Sequence, residues 1–181
     1  MSSRIPPHDL DAERAVLGAL LLEGRPAVER IATSHLRRED FYTETHREVY
    51  AAMLSLHRDG QPVDLITLPA RLRERKALDL VGGPATLARL VEDASMLVHL
   101  DAYAEIVVNQ AKRREVIQAC VKVIAAAFDE DGLAGMTDTL GAAMEGLSRR
   151  RLVHAYDPAV AWQSIVAAWG SQRITTGIGA L

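Results

Sequence analysis

Residues 101–128 read DAYAEIVVNQAKRREVIQACVKVIAAAF, a run with neither glycine nor proline. Apolar side chains recur at Tyr103, Ile106, Val107, Ile117, Cys120, Val121, Ile124 and Phe128, the spacing of a helical stripe. The run predicts a single helix of about 40 Å at 1.5 Å per residue. Such a helix outreaches a small globular core, so its C-terminal half is expected to leave the body of the protein. Residues 129–135 then turn the chain, and Thr137 is placed to cap an antiparallel partner helix carrying Leu140, Met144 and Leu147. The two helices form a hairpin whose apolar strips are too extensive for solvent on both sides, which predicts pairing with a second copy of the chain. Ile124, Phe128, Leu140, Met144 and Leu147 are the residues expected in that oligomer interface. Cys120, on the same stripe, reads as a small core hydrophobe.

Upstream, helix signals follow one another closely. Asp9 can cap a first helix, with Asp11 and Glu13 placing negative charge in its first turn, where the helix dipole favours it. Leu10, Leu17, Leu20 and Leu21 form its face, and Gly24 ends it. A short helix spans about Pro26 to Thr33. Thr43 opens a third, with Val49, Tyr50, Met53, Leu54 and Leu56 on its face and Asp59-Gly60 at its end. A fourth begins near Asp64 or Thr67. Pro69 tolerates only a first-turn position, which favours Thr67 as the cap. Gly82-Gly83-Pro84 is a turn, and Pro84 to Ala94 is the fifth helix.

Downstream, Arg149-Arg150-Arg151 closes the hairpin and Leu152 to Tyr156 reads as a linker. Asp157-Pro158 is a strong helix start, a cap followed by a first-turn proline. Trp162, Ile165, Val166 and Trp169 then recur at i, i+3, i+4 and i+7, and Gly170 ends the run. Both tryptophans of the chain lie on this one face. An isolated helix of this length does not stabilise itself, so the stripe is expected to dock on another subunit. The fold class is therefore all-α: a globular helical head (1–100), a long helix and antiparallel helical hairpin (101–152), a linker and separate linker helix (153–172), and a last segment (173–181).

The composition fits helix-on-helix packing. Of 181 residues, 49% are hydrophobic and only 4% aromatic, the apolar set being mainly Ala, Leu and Val. A net charge of −3 gives no broad phosphate-binding surface. The single cysteine excludes an internal disulfide and a cysteine metal cluster. The apolar runs are too short to span a bilayer and the first residues lack a secretory core, so the chain is expected in the cytoplasm.

Little here carries chemistry. His8, His35, His46, His57, His99 and His154 are scattered, with no pair at zinc spacing. His46 reads as a capping or core-edge histidine. Asp40 and Asp64 each precede a helix and read as caps rather than a catalytic carboxylate pair. The sequence contains no G-x-x-x-x-G-K-[ST] phosphate loop, and Gly82-Gly83 does not join a strand to a helix. Lys112-Arg113-Arg114 and Arg149-Arg150-Arg151 lack interleaved aromatics and read as solvated helix faces. The residues predict no catalysis and no cofactor in this chain.

Several short stretches, in order, carry a resemblance. Pro6-Pro7-His8-Asp9-Leu10-Asp11-Ala12-Glu13 opens the chain. Asp40-Phe41-Tyr42, His46 and Gly60-Gln61-Pro62-Val63-Asp64-Leu65-Ile66-Thr67-Leu68 follow, then Gly82-Gly83 and Tyr103-Ala104-x-Ile106-Val107. From about Pro6 to Asp129 the chain resembles the N-terminal domain of bacterial replicative DNA helicases, the DnaB family. The resemblance implies a helical head whose hairpins pair two copies, dimers or trimers of dimers, building a collar over a hexameric ATPase ring. It implies that heads and hairpins receive primase, for which Ile117 and Val123 are the candidate contacts, and that the helix of Trp162, Ile165, Val166 and Trp169 docks on a neighbouring subunit. Ile174-Thr175-Thr176-Gly177 to Leu181 resembles the lead into the ATPase core, so the chain is expected to be a truncated piece of a longer helicase. ATP, magnesium and single-stranded DNA would belong to that later domain, and a helicase loader is a possible further partner. Pro69 and Pro84 depart from the family's usual helix formers, and Gly132–Leu152 matches by pattern only. The alternatives are the helicase-binding domain of a primase, which resembles the same head and hairpin, and a stand-alone helical regulatory or loader protein.

Overall fold

The first helix, α1 (Leu10–Glu23), lies at the centre of the head. The computed structural model describes residues 5–34, 36–94 and 99–128, with 135–138, 140–142 and 145 beyond them. After α1 come α2 (Arg25–Thr33), α3 (Glu44–Arg58), α4 (Thr67–Glu74), the short α5 (Leu78–Val81), α6 (Gly83–Ala94) and the long α7 (Leu100–Phe128), with a 3-10 turn at Arg38–Asp40; α2, α3, α6 and α7 pack on α1, and α4 and α5 on α3. The fold is all-α, with no strand among the described residues. The described part of residues 135–145 is helical as well.

The Asp9 carboxylate caps α1, accepting the Ala12 N–H at 2.9 Å. Gly24, at φ 70°, ends it. Burial runs almost all the way round α1 and not along one leucine face, because α6 and α7 pack on it as well as α2 and α3. Gly18 permits the closest of these approaches: a Cβ there would lie 2.0 Å from the Leu90 carbonyl oxygen and 2.6 Å from the Ala94 Cβ. The α1–α6 crossing therefore requires glycine.

Helix α3 starts as expected, with the Thr43 hydroxyl accepting the His46 N–H at 3.2 Å, and it buries Val49, Tyr50, Met53 and Leu56. The start of α4 decides between the two residues read as its cap. Asp64, not Thr67, is the capping group: its carboxylate accepts the Ile66 and Thr67 N–H groups, both at 2.8 Å. The Thr67 hydroxyl returns the favour by accepting the Asp64 N–H at 3.2 Å. The two residues thus close the turn that leads into α4, each side chain satisfying the other's backbone N–H in the manner of a capping box. Pro69 falls inside the first turn, where its missing N–H costs nothing.

α5 was not expected, since four residues are too few to show a period. It is closed by Gly82 in a left-handed conformation at φ 86°, and α6 starts at Gly83. The Thr86 hydroxyl donates back to the Gly82 carbonyl at 2.9 Å.

Helix α7 is one helix of 29 residues. The face it buries in the head is Leu100, Ala104, Val107, Val108, Ala111 and Arg114. The stripe read from the sequence shares only Val107 with this set. Ile106, Ile117, Cys120, Val121 and Ile124 point to solvent, centred about 130° round the helix from the buried face at 3.6 residues per turn. Cys120, expected in the core, is exposed.

Candidate interaction site on the long helix and the polar knot at its root

Two features meet on α7: an outward apolar stripe along its distal half and a knot of buried polar groups where that half begins. The knot begins with Glu13, read from the sequence as a negative charge in the first turn of α1. It is only 1% exposed. Its carboxylate accepts the Tyr42 N–H at 2.7 Å and lies 2.6 Å from His46 Nδ1, which donates to it. His46 is thus a core-edge residue paired to a buried acid. A buried carboxylate survives in a core only when its oxygens are satisfied in this way.

Arg114 completes the knot. Expected on a solvated face of Lys112-Arg113-Arg114, it is instead 8% exposed. Its guanidinium donates to the Pro7 carbonyl at 2.7 Å and to the Asp40 carbonyl, and lies 5.6 Å above the Tyr42 ring. Tyr42 in turn stacks on His8, with ring centroids 4.3 Å apart. Burial pulls the Arg114 pKa below the ordinary arginine value, opposed mainly by the nearby Glu13 charge. Asp40 is buried, accepts the Arg37 N–H at 2.8 Å and so closes the 3-10 turn; the cap of α3 is Thr43. Burial, with Asp40 close by, pushes the Tyr50 phenol well above its usual range, and that hydroxyl donates to the Leu36 carbonyl at 3.3 Å. Sequence reading missed this knot because its members are far apart in the chain; the one local hint was an arginine interrupting an otherwise small, apolar helix face.

Beyond Arg114 the helix carries Val116, Ile117, Val121 and Ile124, all exposed, Ile117 by 47% and Ile124 by 58%. Val123 is half-buried, a third of a turn away from Ile117. Leu140 is 43% exposed. Phe128 ends α7, but its side chain, with Met144, Leu147 and the stripe Trp162, Ile165, Val166 and Trp169, lies outside the described residues. Among the described residues no group of three or more His, Cys, Asp or Glu side chains could hold a metal ion, and no helix is long and apolar enough to cross a membrane. One open cleft of about 500 Å³ lies between α3 and α5, lined by Glu44, Glu48, Arg75, Lys76, Ala77 and Leu80. Its carboxylates are engaged, Glu48 with Arg38 and Arg75 and Glu44 with Arg38 and Arg47.

A helical head from which one long helix runs out with apolar residues exposed is the architecture of a replicative-helicase N-terminal domain. In particular, the chain belongs to the DnaB-like helicase N terminal domain family, whose model matches residues 5–109. It is 36% identical over 130 residues to the replicative DNA helicase DnaB of Treponema pallidum, covering 72% of this chain and 29% of that protein. Against the DnaB helicase of Nostoc the identity is 34% over 161 residues, covering 86% and 18%. The chain therefore spans less than a third of the length of these relatives. Among solved structures, the N-terminal domain of DnaB helicase from Mycobacterium tuberculosis superposes with a TM-score of 0.70 at 32% identity, covering 78% of this chain and 99% of that one. A structure of a DnaB-like replicative helicase and its interactions with primase gives a TM-score of 0.64 at 26% identity, covering 76% and 31%.

Proposed function

We propose that this chain is the collar and interaction domain of a hexameric replicative DNA helicase in the cytoplasm, acting in DNA replication by self-association and by receiving primase. The observation that carries this reading is the unpartnered run Val116, Ile117, Val121 and Ile124 on a helix that has already left its own core. Covering Val121, Ile124 and Leu140 with a second copy is worth on the order of several kcal/mol, enough to drive pairing, and leaves Ile117 to another partner. Residues 1–100 form the head, 101–152 the pairing hairpin and 153–172 the linker and linker helix, with 173–181 leading toward an ATPase domain. The pairing face comprises Ile124, Phe128, Leu140, Met144 and Leu147, giving dimers or trimers of dimers.

Ile117 and Val123, at different helical phases, are the contacts offered to primase; the likeness to a helicase studied with its primase supports a partner of that kind. The Trp162, Ile165, Val166 and Trp169 stripe docks on a neighbouring subunit. ATP, magnesium, single-stranded DNA and unwinding belong to the ATPase domain of the longer protein, and a helicase loader is a further partner. Light scattering tests the pairing. Ile124→Asp combined with Leu140→Asp is expected to reduce the oligomer to monomers, and an unchanged particle mass would overturn the reading.

A further inference from the structure

Arg114 marks the place where α7 leaves the head. The buried face Leu100, Ala104, Val107, Val108 and Ala111 ends at its guanidinium, and none of residues 115–125 is buried. Its two hydrogen bonds go to main-chain carbonyls, those of Pro7 and Asp40, so it grips the paths of two backbone segments and not a side chain that can swing away. The Tyr42 ring lies under the guanidinium and carries His8 of the N-terminal segment stacked against it. Below, Glu13 and Asp40 supply the opposing charge. An apolar residue here would fill the same space with no directional demand; a guanidinium donating to two fixed carbonyls imposes one.

We propose that Arg114, clasped between the N-terminal segment and the Asp40–Tyr42 turn, is a positioning residue that sets the direction in which the distal half of α7 leaves the head. Removing either backbone segment leaves a desolvated charge short of partners, so the clasp closes as a unit. The N-terminal residues 5–9 are thereby coupled to the aim of the apolar stripe. This holds whatever the stripe binds.

The test is a distance measurement by pulsed electron resonance on the full chain. Spin labels are placed at Arg73→Cys in the head and Ala125→Cys on α7, in a Cys120→Ser background, with labelled chains diluted in unlabelled ones. Position 125 is about 27 Å along the helix from Val107, the middle of the buried face, so a tilt of the whole helix by about 13° moves it by about 6 Å. Arg114→Met is expected to broaden or shift the distance distribution by that amount while the head keeps its helical content. Arg113→Met, at the exposed neighbour, should leave the distribution as it was. An unchanged distribution in Arg114→Met overturns the proposal. Should that variant fail to fold, Arg114→Lys decides: it keeps the charge but cannot reach both carbonyls, so broadening supports the proposal and a parental width overturns it. Collapse of the head in both variants also overturns it, since the guanidinium would then hold the core and not the exit of the helix.

Discussion

The Glu13 carboxylate lies 2.6 Å from the Nδ1 of His46, tying the first turn of α1 to the first turn of α3 across 33 residues of chain. The same carboxylate takes the Tyr42 N–H at 2.7 Å, so one buried acid fixes two turns of backbone at once. Glu13→Ala leaves both donors unpaired in the core and is expected to cost about 2–4 kcal/mol. Glu13→Gln retains an acceptor and should lose less. Urea denaturation followed by circular dichroism reads the difference; equal midpoints for Glu13→Ala and the parent would show that the pair contributes nothing.

Gly18 is the tightest point of the head. A methyl group there meets the Leu90 carbonyl oxygen at 2.0 Å, and a carbonyl on a packed helix has no flexible end to move aside. Gly18→Ala is therefore expected to destabilise by about 3 kcal/mol or more, despite alanine's better helix propensity. Gly60→Ala is the comparison, since a Cβ there meets nothing within 4 Å and the cost is confined to its φ of 70°. A smaller loss at Gly18 than at Gly60, in parallel thermal melts, would contradict the close-packed crossing.

Acid should loosen the start of α4. The Thr67 and Ile66 N–H groups hold the Asp64 carboxyl below the ordinary aspartate range. A carboxyl whose folded pKa lies below its unfolded value stabilises the fold above the unfolded pKa of about 3.9, and that contribution is lost as pH falls through the folded value. Asp64→Asn should therefore lower stability at neutral pH and flatten its decline on the acid side. Denaturation midpoints measured from neutral pH down to about pH 3 check this; parallel curves for the two proteins would rule it out.

Primase binding should separate from pairing on α7. Ile117 is 47% exposed and Val123 half-buried, on different faces. Ile117→Asp is expected to weaken binding of the cognate primase about tenfold or more, the loss of one well-packed apolar contact, with the circular dichroism spectrum unchanged. Calorimetric titration giving the same affinity as the parent would assign Ile117 to the hairpin pair.

What local chemistry controls was legible in the chain. Asp9 and Thr43 cap α1 and α3, Gly24 closes α1, and the absence of glycine and proline makes α7 one uninterrupted helix; each depends on neighbours within a few residues. The order of short motifs also carried the family, and three of them, at Asp40–Tyr42, Gly60–Leu68 and Gly82-Gly83, lie at the turns between helices. The faces of α7 were not legible. Its inward residues, Ala104, Val108 and Ala111, are no more apolar than its outward ones, Val116, Ile117, Val121 and Ile124, so the apolar period did not say which residues face the head. Nor did sequence mark Gly18 against Leu90, Glu13 with His46, or Arg114 with the carbonyls of Pro7 and Asp40. Those partners are 33 to 107 residues apart. Which groups leave water is decided by how the helices stack on α1, and burial converted an acid, a histidine and an arginine that look like surface residues into the knot that holds the root of the long helix.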